Sequence, residues 1–369
     1  MTAASNRTVS PGGPTVIAVD AMGGDSGVAA IIGGMEKSAG KNTDIRFIVH
    51  GDSAAVAPLL EKKPALARLV EVRDTDKVVS MDEKPSRALR SGKGSSMWNA
   101  IESVKSGEAS VAVSCGNTGA LMAISMLQLR KIPGVVRPAI AVLWPSRNPS
   151  GKNIMLDMGA DIKADAQDLL QYAVMGASYA RNALGLEKPR IGLLNIGTEE
   201  HKGRPELQEA AKMITDVAGI GDFEYIGFVE GSDLPSDRVD VIVTDGFTGN
   251  VALKASEGTA KLVGDFLKEA FTHTPLAKLA ALFAMSSLKR LKKRVDPRRV
   301  NGGVFLGLNG TVIKSHGSAD AIGVSAAIKL AYTLAHNGFS EKLAARVASG
   351  IEASKNTGTG TGTPESDEA

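Results

Sequence analysis

The sequence predicts an α/β fold, a three-layer α/β/α sandwich, on three observations. Short apolar runs alternate with long amphipathic stretches, and glycine-rich turns close many of the runs. Aromatic residues make up only 4% of the chain against 41 glycines, a balance that suits βαβ units better than a β-sandwich. At 369 residues there is length for one large domain or two ordinary ones.

In chain order, strands are expected at Val16–Asp20, Arg46–His50, Leu69–Arg73, Ala109–Ser114, Ala139–Leu143, Asn153–Asp157, Arg190–Asn195 and Val239–Thr244. Helices are expected between them at Ser26–Ala39, Ser96–Lys105, Ala120–Lys131, Asp165–Leu184 and Pro205–Val217. The alternation reads as parallel βαβ units, whose ligands bind beyond the carboxyl ends of the strands. Five turns are expected at that rim and to converge there: Ala21–Asp25, Cys115–Gly119, Gly159–Lys163, Ile196–Gly203 and Asp245–Asn250.

After Asn250 the pattern changes. Residues 251–296 read as two helices broken by Thr272-His273-Thr274-Pro275, an antiparallel hairpin protruding from the domain. Strands return at Gly303–Leu308 and Thr311–Lys314, and a helix follows over Ser318–His336. One α/β unit over residues 15–353 is expected, with a disordered leader at 1–14 and a disordered acidic tail at 354–369.

Composition excludes several classes. A lone cysteine, Cys115, rules out an internal disulfide, and no Cys/His cluster has zinc spacing, so no metal or cofactor is expected and the compartment reads as cytoplasmic. The uncharged stretch Ser110–Leu129 approaches the roughly 20 residues of a membrane span. The polar loop Ser114–Gly119 breaks it, and a strand, turn and helix fit better. The net charge of +3 is local: seven basic residues and one acidic lie in Lys289–Arg299, leaving 36 basic against 39 acidic elsewhere. Such a patch marks a partner surface. In the second hairpin helix Leu276, Leu279, Phe283 and Leu288 form an apolar stripe, with Lys289, Arg290, Lys292 and Lys293 beside it. An apolar stripe flanked by cations suits an anionic membrane surface, each basic residue adding roughly 1 kcal/mol. A core or dimer face, or an acidic protein partner, would use the same residues. No aromatics interleave with the charges, so no nucleic acid is expected.

Four loops carry candidate chemistry. Asp20, Gly23, Gly24 and Asp25 follow a strand and open a helix, where small residues let a backbone approach an anion; the alternative is an ordinary capped corner. In Ser114–Gly119, the amides of Gly116 and Gly119 with the side chains of Asn117 and Thr118 can stabilise an oxyanion, while Cys115 has no local histidine to activate it. Lys202 in the loop after Asn195, and Lys314 and His316 before the helix at Ser318, can hold a phosphate or protonate a leaving group; solvated decoration is the alternative.

Together and in this order, VIAVDAMGGD, DEKPSRALRSGKGSSM, SCGNTGALMA, LDMGAD, NIGTEEHKG, EGSDL, TDGFTGNVALKASEG and LGLNGTVIKSHGSADA resemble the bacterial phosphate acyltransferases of phospholipid synthesis, over roughly Val16–Ser349. The resemblance implies a fold like that of the isocitrate and isopropylmalate dehydrogenases. It also implies a homodimer in the cytoplasm, peripherally associated with membrane. Acyl-carrier protein and inorganic phosphate would be its substrates, with the acyl phosphate passed to a membrane glycerol-3-phosphate acyltransferase. Matching motifs place Asp245, Asn250 and Lys254 among the substrate-binding candidates. Cys115 stands where the family usually has Ala, Asp161 where it has Asn, and Thr248 where it has Val. Three rivals share parts of the pattern: a short-chain phosphotransacetylase using coenzyme A, a metal-dependent hydroxy-acid dehydrogenase, and a non-catalytic membrane-docking scaffold.

Overall fold

The computed structural model describes residues 13–295, 298 and 301–358. The expected leader lies outside these residues except for Gly13 and Pro14. Among the described residues, eleven strands form one sheet: β1 (Thr15–Asp20), β2 (Ile45–Gly51), β3 (Val70–Asp74), β4 (Val111–Ser114), β5 (Ala139–Pro145), β6 (Lys152–Leu156), β7 (Arg190–Leu194), β8 (Glu224–Val229), β9 (Val241–Val243), β10 (Gly303–Leu306) and β11 (Thr311–Lys314). Their order across the sheet is β3-β2-β1-β4-β11-β10-β5-β6-β9-β7-β8.

Among the described residues there are twelve α-helices: α1 (Gly27–Ala39), α2 (Ser53–Glu61), α3 (Pro64–Ala67), α4 (Pro85–Ser91), α5 (Ser96–Lys105), α6 (Thr118–Leu129), α7 (Ala166–Leu184), α8 (Pro205–Ala218), α9 (Gly246–Thr272), α10 (Pro275–Val295), α11 (Ala321–His336) and α12 (Phe339–Gly358). Period-two alternation in the strands divides the core. Ile17 and Val19 join Ile32, Met35, Tyr172 and Val324 on one face, while Ala18, Ala112 and Ile242 join Met97, Ile101 and Leu121 on the other. Helices cover both faces, as the three-layer reading requires.

The expectation of parallel βαβ units sharing one carboxyl rim needs correction. Strands β3, β2, β1, β4 and β11 run parallel, and so do β6, β9, β7 and β8. Between these sets the pairs β11–β10, β10–β5 and β5–β6 are antiparallel. Three reversals turn the second set against the first, so their carboxyl ends face opposite rims. Each set has its own topological switch point. Chain order runs from β1 outward to β2 and β3 before β4 returns to the other flank of β1, and β7 is flanked likewise by β8 and β9. A crevice opens at such points.

Helix α12 runs from Phe339 through Gly358. The rest of the expected tail, from residue 359, lies outside the described residues. Among the described residues, no helix is long and apolar enough to cross a membrane.

Candidate functional site

The loops that follow β1, β4 and β11 are brought together by close backbone approach. Asp20, at the end of β1, is buried and accepts a 2.6 Å hydrogen bond from the Ser114 hydroxyl at the end of β4. Ser114 Oγ in turn accepts from the Gly116 amide at 3.0 Å. A Cβ at Gly23 would lie 2.6 Å from Asp20 Oδ2 and 2.7 Å from Gly116 N. Gly24, at φ +96°, would place one 2.8 Å from both Cys115 Cβ and the Gly317 carbonyl. The Asp25 amide donates to that carbonyl at 2.7 Å, which ties the first loop to the turn after β11. Only glycine admits this packing.

Lys314 ends β11 inside the cluster. Its ammonium donates to the Cys115 carbonyl at 3.3 Å and to the Ser315 carbonyl. Burial lowers its pKa to about 8, against the opposing pull of Cys115, Asp20 and Asp25. Burial likewise raises the Asp20 carboxyl, and hydrogen bonds from Ser114 and neighbouring amides offset this only in part. The Cys115 thiol is buried and its pKa is pushed up by that burial, so it lacks the thiolate character of a nucleophile. His316 accepts at Nδ1 from the Ser318 hydroxyl at 2.9 Å and the Ser318 amide at 3.3 Å. Its neutral ring therefore carries the proton on Nε2, as a donor. Asn301 steadies the turn through Ser315 Oγ and the His316 amide.

Asn117 differs from its expected role. Its side-chain amide donates to the Met81 and Glu83 carbonyls at 2.6 and 3.0 Å, and its oxygen caps α6 by accepting from the Ala120 amide at 3.0 Å. Both ends are committed, so Asn117 positions the loop and is not a free oxyanion donor. The open donors are the amides of Thr118 and Gly119, in the first turn of α6, which helix geometry leaves without intrahelical partners. The segment 81–85 lies between the two rim loops: its Met81 and Glu83 carbonyls accept from Asn117, and Met81 Cε would lie 2.8 Å from a Cβ on Gly317.

The opposite rim gathers the remaining candidates. Lys202, after β7, pairs with Glu199 at 2.7 Å. Asp245 caps α9 through the Thr248 amide at 2.8 Å and receives Arg204. Burial works to raise the Asp245 pKa, but the Thr248 and Arg204 hydrogen bonds outweigh it and hold the carboxylate below its ordinary value. Convergence on one rim is thus corrected: Asp20, Gly23, Gly24, Asp25, Gly116, Thr118, Gly119, Lys314 and His316 come together, whereas Lys202, Asp245 and Asn250 belong to the other end. Lys254 lies partway along α9, paired with Glu257 at 2.8 Å yet within electrostatic reach of Lys314.

Sequence reasoning missed Asp157, which is fully buried after β6. Its carboxylate accepts from the amides of Ile140, Ala160 and Asp161 at 2.8, 3.1 and 2.7 Å. It thereby shapes the loop on which α9 sits: a Cβ on Gly249 would meet the Asp157 carbonyl at 2.0 Å. Two of the three departures from family pattern find side-chain partners: Asp161 pairs with Arg137 at 2.6 Å, and the Thr248 hydroxyl donates to Asp245 at 3.0 Å.

On the hairpin, Leu276 and Phe283 are 75% and 84% exposed, Leu279 is also exposed, and Leu288 is half-buried. Lys289 and Arg290 are exposed; Lys292 and Lys293 fall in α10, but their side chains lie outside the described residues.

The family described as "Fatty acid synthesis protein" matches residues 15–342. Phosphate acyltransferases of Paracoccus denitrificans and Dinoroseobacter shibae are 67% and 65% identical over 347 and 351 residues. These matches cover 94% and 95% of this chain and 94% and 90% of the relatives. A phosphotransacetylase from Streptococcus pyogenes shares the fold, with a TM-score of 0.57 at 17% identity over 88% of this chain and 93% of that one. The chain belongs to the phosphate acyltransferase family and is an acyltransferase of lipid synthesis.

Proposed function

We propose that the protein transfers a fatty acyl group from acyl-carrier protein to inorganic phosphate, in the β1/β4/β11 crevice. The observation that carries this reading is the half-buried Lys314 cation, held at the carbonyl of Cys115 in the turn that leads into α6, among three loops whose glycines let them pack closely on one another. Phosphate is itself a competent nucleophile, since phosphate monoesters reach the dianion at about pH 6. One of its oxygens attacks the thioester carbonyl carbon. The carbonyl oxygen becomes an oxyanion facing the α6 amides, and collapse breaks the C–S bond. A thiol of pKa about 8.5 departs readily as thiolate. Lys314 and His316 Nε2–H hold phosphate or supply the proton that the thiolate takes. In this reading Asn117, Asp20 and Ser114 position the loops, and Lys202 stands outside the reacting centre.

Identities of 61–67% to phosphate acyltransferases, against 17% to the phosphotransacetylase, favour the long-chain carrier-protein reaction over short-chain transfer from coenzyme A. Kinship with the isocitrate and isopropylmalate dehydrogenases stays part of the proposal, as do a homodimer and one catalytic unit over residues 15–353. The test is trapping with hydroxylamine. Palmitoyl-acyl-carrier protein is expected to yield acyl hydroxamate at a rate that rises with phosphate, and acetyl-coenzyme A to give less than a hundredth of it. A phosphate-independent rate would sink the reading.

The exposed stripe on α10 supports contact between a cytoplasmic enzyme and an anionic membrane surface, where the product can pass to a membrane glycerol-3-phosphate acyltransferase. Leu279→Glu with Phe283→Glu is expected to abolish sedimentation with phosphatidylglycerol-containing vesicles while soluble turnover persists. Undiminished sedimentation would refute it.

A further inference from the structure

An apolar groove leads away from the two open amides of α6. Its volume is about 230 Å³, and Thr118, Met122, Ala123 and Met126 line one wall at helical spacing. Ile140, Gly159 and Ala160 face them, on and after strands of the central sheet. From Thr118 to Met126 the helix advances eight residues, about 12 Å. Polar donors thus stand at one end, and only thioether, methyl and backbone CH surfaces continue beyond them. Asp157 fixes the second wall through the Ala160 amide, so the groove is held open by a buried hub and not by a mobile side chain. Gly119 admits Pro85 at the mouth, where a Cβ would meet Pro85 Cγ at 2.8 Å.

From this continuity we infer that the groove along α6 receives the acyl chain of the thioester, and that Ala123 and Met126 set which chain lengths react best. The inference rests on the acyl-transfer reading above and deepens it. A thioester carbonyl at the Thr118 and Gly119 amides points one substituent toward sulfur and the other along the helix. Only the second direction is apolar. A cavity of about 150 Å³ accepts benzene, so by that measure this groove takes roughly nine carbons. Longer chains pass Met126, which is 40% exposed and marks the open end. Each methylene excluded from the groove lowers relative kcat/KM about fourfold.

The test compares hexanoyl- and palmitoyl-acyl-carrier protein as donors, with saturating phosphate. Ala123→Phe, which fills the middle of the groove, is expected to lower the palmitoyl-to-hexanoyl ratio of kcat/KM at least tenfold. Met126→Glu places a carboxylate at the open end, on a surface position that tolerates it, and is expected to lower the same ratio severalfold. Because the readout is a ratio measured on one preparation, partial unfolding does not mimic it. An unchanged ratio in Met126→Glu overturns the inference, whether or not both donors slow equally. If the unsubstituted protein forms acyl phosphate from these donors, such a result leaves the reaction standing and removes only the groove; if it forms none, the reaction itself fails.

Discussion

Lys314→Ala is expected to lower phosphate-dependent turnover by about 10²–10³-fold, the usual cost of removing one preorganised donor from a site of developing negative charge. The KM for phosphate should rise, because Lys314 is the half-buried cation among the rim loops. Its pH dependence gives a sharper signature. With a pKa lowered to about 8 by burial, Lys314 is protonated below that pH and loses its charge above it. Activity should therefore fall tenfold per pH unit on the alkaline side. Arginine stays charged beyond pH 12, so whatever activity Lys314→Arg keeps should lack that fall. Stability should move the other way. The folded chain binds fewer protons than the unfolded one between the lowered pKa and the ordinary lysine value of about 10.4, so unfolding free energy rises with pH across that window. Below it the buried charge is a standing cost, and Lys314→Met should melt no lower than the parent at pH 7. A variant both inactive and at least as stable separates function from structure. Full activity in Lys314→Ala, or an alkaline limb that persists in Lys314→Arg, would remove Lys314 from the phosphate site.

The strands were legible because β-branched and apolar residues occupy them almost without interruption, and glycine or proline bounds them. Strand β8 escaped notice because Glu224 opens it and Gly227 interrupts it. Helix α2 carries Pro58 inside its span, and α4 is a single charged segment of seven residues; neither shows a hydrophobic period. Strand direction was the costlier error. The six residues from Ser146 to Gly151 between β5 and β6 suit a hairpin and not a crossover, which needs a dozen or more. Reading that length would have signalled the reversal and the second rim.

Within the site, Asp20 and Lys314 were visible as polar groups at strand ends, whereas Asn117 was misread through a boundary. Placing the helix start at Ala120 and not Thr118 turned an N-cap asparagine into a free loop donor. The start of α9 slipped by five residues for a related reason, since Gly246 and Gly249 argue against helix by propensity. They are there because the helix must lie against the 157–161 loop. Asp157 could not be found from spacing at all. Its importance depends on burial and on amides that only the fold brings to it.

Gly23→Ala is expected to cut activity by roughly 100-fold, the scale on which a misplacement of about 1 Å near the reacting groups acts. The added Cβ meets two atoms that cannot retreat: Asp20 Oδ2 at 2.6 Å, held by Ser114, and the Gly116 backbone nitrogen at 2.7 Å. Relief requires the 20–25 and 115–119 loops to part, which shifts the loop that carries the α6 amides. Overpacking of this kind costs about 1–3 kcal/mol of stability, so the melting temperature falls as well. Strain alone must therefore be controlled for. Gly27 serves, because it has φ +69° but a Cβ there meets nothing within 4 Å. Gly27→Ala carries the left-handed penalty of about 1–2 kcal/mol without touching either loop. If the two variants lose similar stability but only Gly23→Ala loses turnover, the approach of the two loops is what the reaction needs. Wild-type turnover in Gly23→Ala would mean that the crevice between β1 and β4 is not where phosphate meets the thioester.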